Sequence, residues 1–276
     1  MEQNPNNTAY IVLQEINEKH IKLKGEDISE CNQIIKFVKN VMIEQMCQVD
    51  PLFNAIFQRV YHTGSFYDGL KVGEPEEYDL NLVLEPKLPK GTFEIVHDST
   101  CHPGFMLFRR LDDPKKIIPK EHCLYDVIED FKKLLTFHGK KYYIDPKLLR
   151  SWIQGILDKT LRLVEMENRL RQYELSIVSK KTSGPAMTLH FKTNNARQID
   201  VDLVPVFSFN TEQLKNYPSA IQDLKWLNKH KTDFKEKVIK VLKGKDFMLV
   251  PKPLKQWKQQ VKTPQFRIGK KIASKM

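Results

Sequence analysis

The stretch Glu77-Tyr78-Asp79-Leu80-Asn81-Leu82-Val83-Leu84 reads as a β-strand carrying two acids on an otherwise apolar run. Side chains alternate faces along a strand, so Glu77 and Asp79 point the same way. Two carboxylates on one strand face repel each other unless a cation lies between them, and hard divalent cations such as Mg²⁺ or Mn²⁺ take oxygen ligands. A later segment, Ile199-Asp200-Val201-Asp202-Leu203-Val204, is a second acid-bearing strand. If the two strands are neighbours, Asp202 completes a three-carboxylate set able to hold two metals about 3.5–4 Å apart. That arrangement suits phosphoryl transfer, which needs mainly positioning and charge neutralisation.

Twelve residues before Glu77 lies Ser65, in the loop Thr63-Gly64-Ser65. Glycine lets backbone approach a phosphate closely. A helix beginning after Ser65 would turn free N–H groups toward an anion, and the Ser65 hydroxyl can add a hydrogen bond to a phosphate oxygen. Taken singly these pieces are ordinary. A Gly-Ser pair is usually a turn, and Asp200, Asp202 or an acid-x-acid pair is usually a solvated strand face. Their order along the chain is the distinctive feature.

Around them the sequence predicts a helix from Asp27 or Ser29, with apolar positions Ile34, Ile35, Val38, Val41, Met42, Met46 and Val49 at helical spacing. Pro51 interrupts it, and the helical pattern resumes through Leu52, Phe53, Ile56, Phe57 and Val60. Residues 61–69 read as a loop. Residues 93–110 read as strands turning at Pro103-Gly104. Asp126–Phe137 and Pro146–Leu163 read as helices. Arg171–Val178, Ala186–Lys192 and Gln198–Phe207 form a strand set, Ser219–Val241 is helical, and residues 244–276 read as Lys-rich and irregular. Strands and helices mix without strict alternation, an α+β pattern with a mixed sheet and a long N-terminal spine helix. The expected organisation is a polar lead-in over 1–25, a core over 26–215, and a basic helix with the start of a further lobe over 216–276.

The formal net charge of +11 sets up a positive field that attracts polyanions. No apolar run is long enough to span a bilayer and the N-terminus has no apolar signal core, so a cytoplasmic protein without a membrane partner is expected. The four cysteines form no C-x-x-C pair, which argues against a zinc ribbon. His190, in a strand among apolar residues, reads as a core or edge histidine. Trp152, Trp226 and Trp257 read as packing residues.

The ordered combination resembles the DNA polymerase β-like nucleotidyltransferases. Narrower motifs are similar to the Mab-21 family, which includes cyclic GMP-AMP synthase and the synthase-like receptors of insects. These motifs are Thr63-Gly64-Ser65-Phe66-Tyr67, Glu76-Glu77-Tyr78-Asp79-Leu80, Ser183-Gly184-Pro185-Ala186-Met187-Thr188-Leu189 and Phe247-Met248-Leu249-Val250-Pro251-Lys252. The resemblance runs from about residue 28 to residue 267 and implies cyclisation of two nucleotides in one pocket, with ATP and GTP as substrates. It implies that Glu77, Asp79 and Asp202 bind metal, that Gly64 and Ser65 meet the donor triphosphate, and that Arg267 contacts nucleotide. It also implies a C-terminal helical lobe that continues past Met276, so a truncated lobe is expected. The zinc insertion of the vertebrate DNA sensor has no counterpart here, and insect relatives without it include sensors of double-stranded RNA.

Compact lysine charges suit sequence-independent phosphate contacts, and double-stranded RNA is read largely by shape and backbone. Lys225, Lys229, Lys235, Lys237, Lys240 and Lys243 are the expected RNA-facing residues, with Lys36, Lys39, Lys132 and Lys133 as extensions. Double-stranded RNA, less so DNA, is the expected partner in antiviral innate immunity, with an RNA-induced dimer as the expected assembly. Two other readings stand beside this one, a linear oligoadenylate-type synthase and a non-catalytic Mab-21-type binding protein.

Overall fold

The computed structural model describes residues 5–16, 18, 25–67, 76–89, 91–96, 105–210, 232–251 and 266–268. The chain begins with helix α1 (Pro5–Ile16), inside the expected polar lead-in. The spine follows as α2 (Gly25–Phe37), one π-helical turn at Val38–Met42, and α3 (Ile43–Val49). Its buried residues Ile34, Ile35, Val38, Met42 and Met46 lie on the predicted stripe.

The spine stops at Asp50, whose backbone is extended and whose carboxylate accepts from the Phe53 N–H at 2.8 Å, capping α4 (Pro51–Ile56). Pro51 fits the first position of the new helix, where an N–H would have no partner in any case. The other Asp50 oxygen accepts from Trp152 Nε1 at 3.2 Å, and the Trp152 ring packs against Phe53. Trp152 is thus a packing residue, as expected; Trp226 and Trp257 lie outside the described residues.

Helix α4 ends at Ile56, earlier than the apolar pattern predicts, and Phe57–Thr63 forms strand β1. Its aromatic and β-branched residues suit a pleated surface, and its partner is β2 (Glu77–Leu84), antiparallel, with Thr63 opposite Asp79. The segment read as a loop therefore holds the end of β1 and a single helical turn, α5 (Gly64–Tyr67).

After β3 (Phe93–Val96), β4 (Phe105–Arg110) and the turn α6 (Pro114–Ile117), a second correction appears. The predicted helix over Asp126–Phe137 is only α7 (Ile128–Lys132); Leu135–His138 is β5, joined to β6 (Lys141–Ile144) by a tight hairpin. Gly139 and Lys140 both take positive φ, 55° and 64°, as a two-residue type I′ turn requires. Helix α8 (Pro146–Leu161) follows as expected, and α9 (Val164–Gln172) extends helix into residues read as strand. Glu174 then turns the chain with φ 53° into β7 (Leu175–Ser183).

Strand β8 (Ala186–Thr193) pairs with β7 and with β9 (Gln198–Asn210), both antiparallel. Helix α10 (Thr232–Leu242) leads to β10 (Asp246–Pro251) and β11 (Phe266–Ile268), strands in a region that reads as irregular. They form because β10 pairs with the C-terminal half of β9 and β11 bridges β10 to β4. The apolar run Phe247-Met248-Leu249-Val250 is the local trace of β10 inside a Lys-rich stretch, and the long-range pairing makes it a strand.

The mixed sheet runs β1-β2-β9-β10-β11-β4-β6-β5, with β3 beside β4 and β7-β8 beside β9. One face, with Tyr78, Leu80, Leu82, Ile199, Val201 and Leu203, joins the spine and α8 in the main core. The α+β architecture expected from the sequence is the one observed. No helix among the described residues is long and apolar enough to cross a membrane.

Replacing Asp50 by Ala removes a helix cap and the acceptor of a half-buried indole. A loss of about 1–3 kcal/mol is expected from urea denaturation, as a lower midpoint with unchanged slope.

Candidate metal centre

Strands β2 and β9 are parallel, with Glu77 opposite Asp200 and Asp79 opposite Asp202. With Tyr78 and Val201 turned into the core, all four acids fall on the other face. One carboxylate oxygen from each of Glu77, Asp79 and Asp202 lies within 4.8 Å of the others. Glu77 is exposed, while Asp79 and Asp202 are half-buried. Three anionic oxygens gathered this closely fit a divalent cation, since oxygen donors suit Mg²⁺ and Mn²⁺ and since the cation offsets their repulsion.

The loop before β2 is shaped around Asp79. Gly64 has φ 86°, and a Cβ placed on it would lie 2.0 Å from Asp79 Oδ2. The missing side chain is therefore space that the carboxylate occupies. Thr63 Oγ1 donates to the Asp79 carbonyl at 3.2 Å, fastening the loop from its other side. Ser65 is exposed on the one-turn α5, which begins at Gly64 and is too short to add a substantial helix dipole.

The next residues pin α5 through the sheet. The Phe66 ring packs on Tyr78 at 4.8 Å and on Tyr67 at 5.0 Å, and Tyr67 lies 4.4 Å from His62. Tyr78, between the two acids of β2, is 1% exposed. Burial, then the nearby Cys31 of the spine, pushes its phenol above the usual tyrosine range. Desolvation and the nearby Cys31 push the Tyr67 phenol up to about 12. Both phenols therefore stay neutral at physiological pH and act as packing groups.

Asp200 and Asp202 have different neighbours on β8. Thr188 Oγ1 is 2.5 Å from Asp202 Oδ1, whereas His190 Nδ1 is 2.7 Å from Asp200 Oδ1. His190 is neither a core nor an edge histidine: β8 is paired on both sides, by Ser179 of β7 and Asp200 of β9 at this position, and the half-buried ring faces Asp200. Its register opposite Asp200 was the missing information, because a strand sequence does not reveal its neighbour.

The Mab-21 protein nucleotidyltransferase domain matches residues 66–268. The chain belongs to the Mab-21 nucleotidyltransferase family. It is 33% identical over 208 residues to a protein named cyclic GMP-AMP synthase-like receptor in Tribolium castaneum, covering 73% of this chain and 50% of the relative. It is 30% identical over 247 residues to one of the same name in Aethina tumida, covering 88% and 55% respectively. A further relative, cyclic GMP-AMP synthase-like receptor 3 of Stylophora pistillata, is 26% identical over 193 residues, covering 68% and 48%. The chain thus spans about half the length of these curated relatives.

The remaining expected site residues are more scattered. Arg267 is on β11, its backbone in register with Val250 and Phe105, and its side chain lies outside the described residues. Lys225 and Lys229 also lie outside them. Lys237 and Lys240 are exposed on α10, Lys235 is half-buried, and Lys243 is exposed just beyond the helix, which is anchored by the buried Val238 and Leu242. Lys36 and Lys39 are exposed on the spine. Lys132 is engaged by Asp113 at 2.8 Å and Glu129 at 3.2 Å, and Lys133 by Asp130 at 2.6 Å, so these two are committed to local ion pairs. Among the described residues Cys31, Cys47 and Cys123 form no disulfide.

Gly64→Ala is expected to lower the melting temperature more than Gly139→Ala. Both positions have positive φ and carry the same kind of backbone strain, about 1 kcal/mol, but only Gly64 adds a collision with a carboxylate, since a Cβ on Gly139 meets nothing within 4 Å. Thermal melts of the two variants check this.

Proposed function

We propose that this chain is the nucleotidyltransferase core of a cyclic GMP-AMP synthase-like receptor that joins ATP and GTP into a cyclic dinucleotide when it binds double-stranded RNA. The observation that carries the reading is the convergence of Glu77, Asp79 and Asp202 on one sheet face within a family of nucleotidyltransferases. The relatives' shared name supports the narrower reading.

In this reading Glu77, Asp79 and Asp202 hold Mg²⁺ or Mn²⁺. A bound divalent metal supplies charge neutralisation on the triphosphate and an activated attacking hydroxyl. The chain's own contribution is position. Gly64 lets the loop close against Asp79, and Ser65 donates its hydroxyl to a triphosphate oxygen. Arg267 meets the nucleotide. Lys225, Lys229, Lys235, Lys237, Lys240 and Lys243 neutralise RNA phosphates, so RNA affinity falls as salt rises. The setting is cytoplasmic antiviral immunity, and RNA brings two copies together.

The test incubates the chain with radiolabelled ATP and GTP, Mg²⁺ or Mn²⁺, and double-stranded RNA or DNA, beside a Glu77→Ala, Asp79→Ala double variant. The expected outcome is a phosphatase-resistant dinucleotide formed only with RNA and abolished in the variant. A phosphatase-sensitive ladder would point to a linear synthase. RNA binding without product from any nucleotide pair would point to a binding module.

A further inference from the structure

The two aspartates of β9 point to the same face, yet only Asp202 joins the three-acid cluster. Strand β8 distinguishes them. Thr188 is the register partner of Asp202, and His190 is the register partner of Asp200. His190 Nδ1 and, at 3.4 Å, Gln198 Nε2 both approach Asp200 Oδ1. Asp202 instead meets a hydroxyl, Thr188 Oγ1, at 2.5 Å from its Oδ1.

An ionised carboxylate only accepts hydrogen bonds, so in this contact Thr188 donates. A hydroxyl donor is neutral: it fixes the rotation of the carboxylate without cancelling the charge that a cation needs. A cationic or ring N–H partner, such as the one Asp200 has, would compete with metal. Thr188 is well placed for this task. Its backbone is held on both sides, by Lys181 of β7 and Asp202 of β9. Its β-branched side chain has few χ1 choices, and it is half-buried.

We propose that Thr188 is a positioning residue of the metal centre, orienting Asp202 toward the ion shared with Glu77 and Asp79. Asp200, held by His190, stays outside the ligand set. This rests on the metal reading of the three-acid cluster.

The test measures Mn²⁺ binding by titrating free ion with electron paramagnetic resonance, and melting without metal, for the unmodified chain and three variants. Thr188→Val keeps the shape and β-branching but removes the donor; Thr188→Ser keeps the donor; Asp202→Asn removes the ligand charge. Loss of a partner that orients a metal ligand typically costs about 10–100-fold in affinity. Thr188→Val is expected to weaken Mn²⁺ binding by about 10-fold or more, with Thr188→Ser close to the unmodified chain and the metal-free melting temperatures alike. Normal Mn²⁺ affinity in Thr188→Val, with binding lost in Asp202→Asn, would overturn the role of Thr188 alone, as would equal weakening in Thr188→Ser. An unmodified chain that binds no Mn²⁺ would overturn the metal reading and this role with it.

Discussion

The in-register parallel pairing of β2 with β9 is the constraint on which the site depends. Parallel neighbours cannot be joined by a tight turn, and the chain between these two strands builds β3 to β8 and the helices α6 to α9 before returning. The register is set by burial. Tyr78, Leu80, Leu82, Ile199, Val201 and Leu203 are all at most 1% exposed. A slip of one residue on β9 would send Asp202 toward the core and Val201 or Leu203 toward the acids. The same apolar contacts that fold the sheet therefore place Asp79 beside Asp202, and the electrostatic cost of gathering carboxylates is offset by core packing.

A second coupling joins the loop before β2 to the spine. Gly64 lies against the Asp79 carboxylate on one face of the sheet, while Phe66 and Tyr67 reach Tyr78 on the other. Cys31 of α2 closes the chain of contacts at Tyr78. A shift of the spine near Cys31 would thus be felt at Phe66 and, through the short α5, at Ser65. The coupling is made of packed rings and one missing Cβ, with little hydrogen bonding.

Much of this was legible in the sequence. The strand over Glu77–Leu84, the break at Pro51, the helix from Pro146 and the three acids in order all have local signatures: alternation, a proline and a motif. The misreadings have a common physical cause. Phe57–Val60 and Leu135–Phe137 are short segments whose apolar residues suit a helix or a strand equally, and the pairing partners β2 and β6 decided the outcome. Strands β10 and β11 exist through pairing with β9 and β4. His190 and Thr188 look like unremarkable strand residues until the β8–β9 register sets them opposite two aspartates. Neighbours across a sheet are tertiary information. A one-dimensional pattern carries the face that a side chain occupies, and it does not carry the group on the next strand.

The central claim is that Glu77, Asp79 and Asp202 are ligands of one metal centre. The most direct measurement is a crystal structure of the chain grown with Mn²⁺, with anomalous difference density collected at the manganese edge. The expected result is an anomalous peak bounded by the three carboxylates, at oxygen distances of about 2.0–2.3 Å, with Thr188 still on Asp202 and His190 still on Asp200. Anomalous density elsewhere in the molecule, with none between these carboxylates, would contradict it.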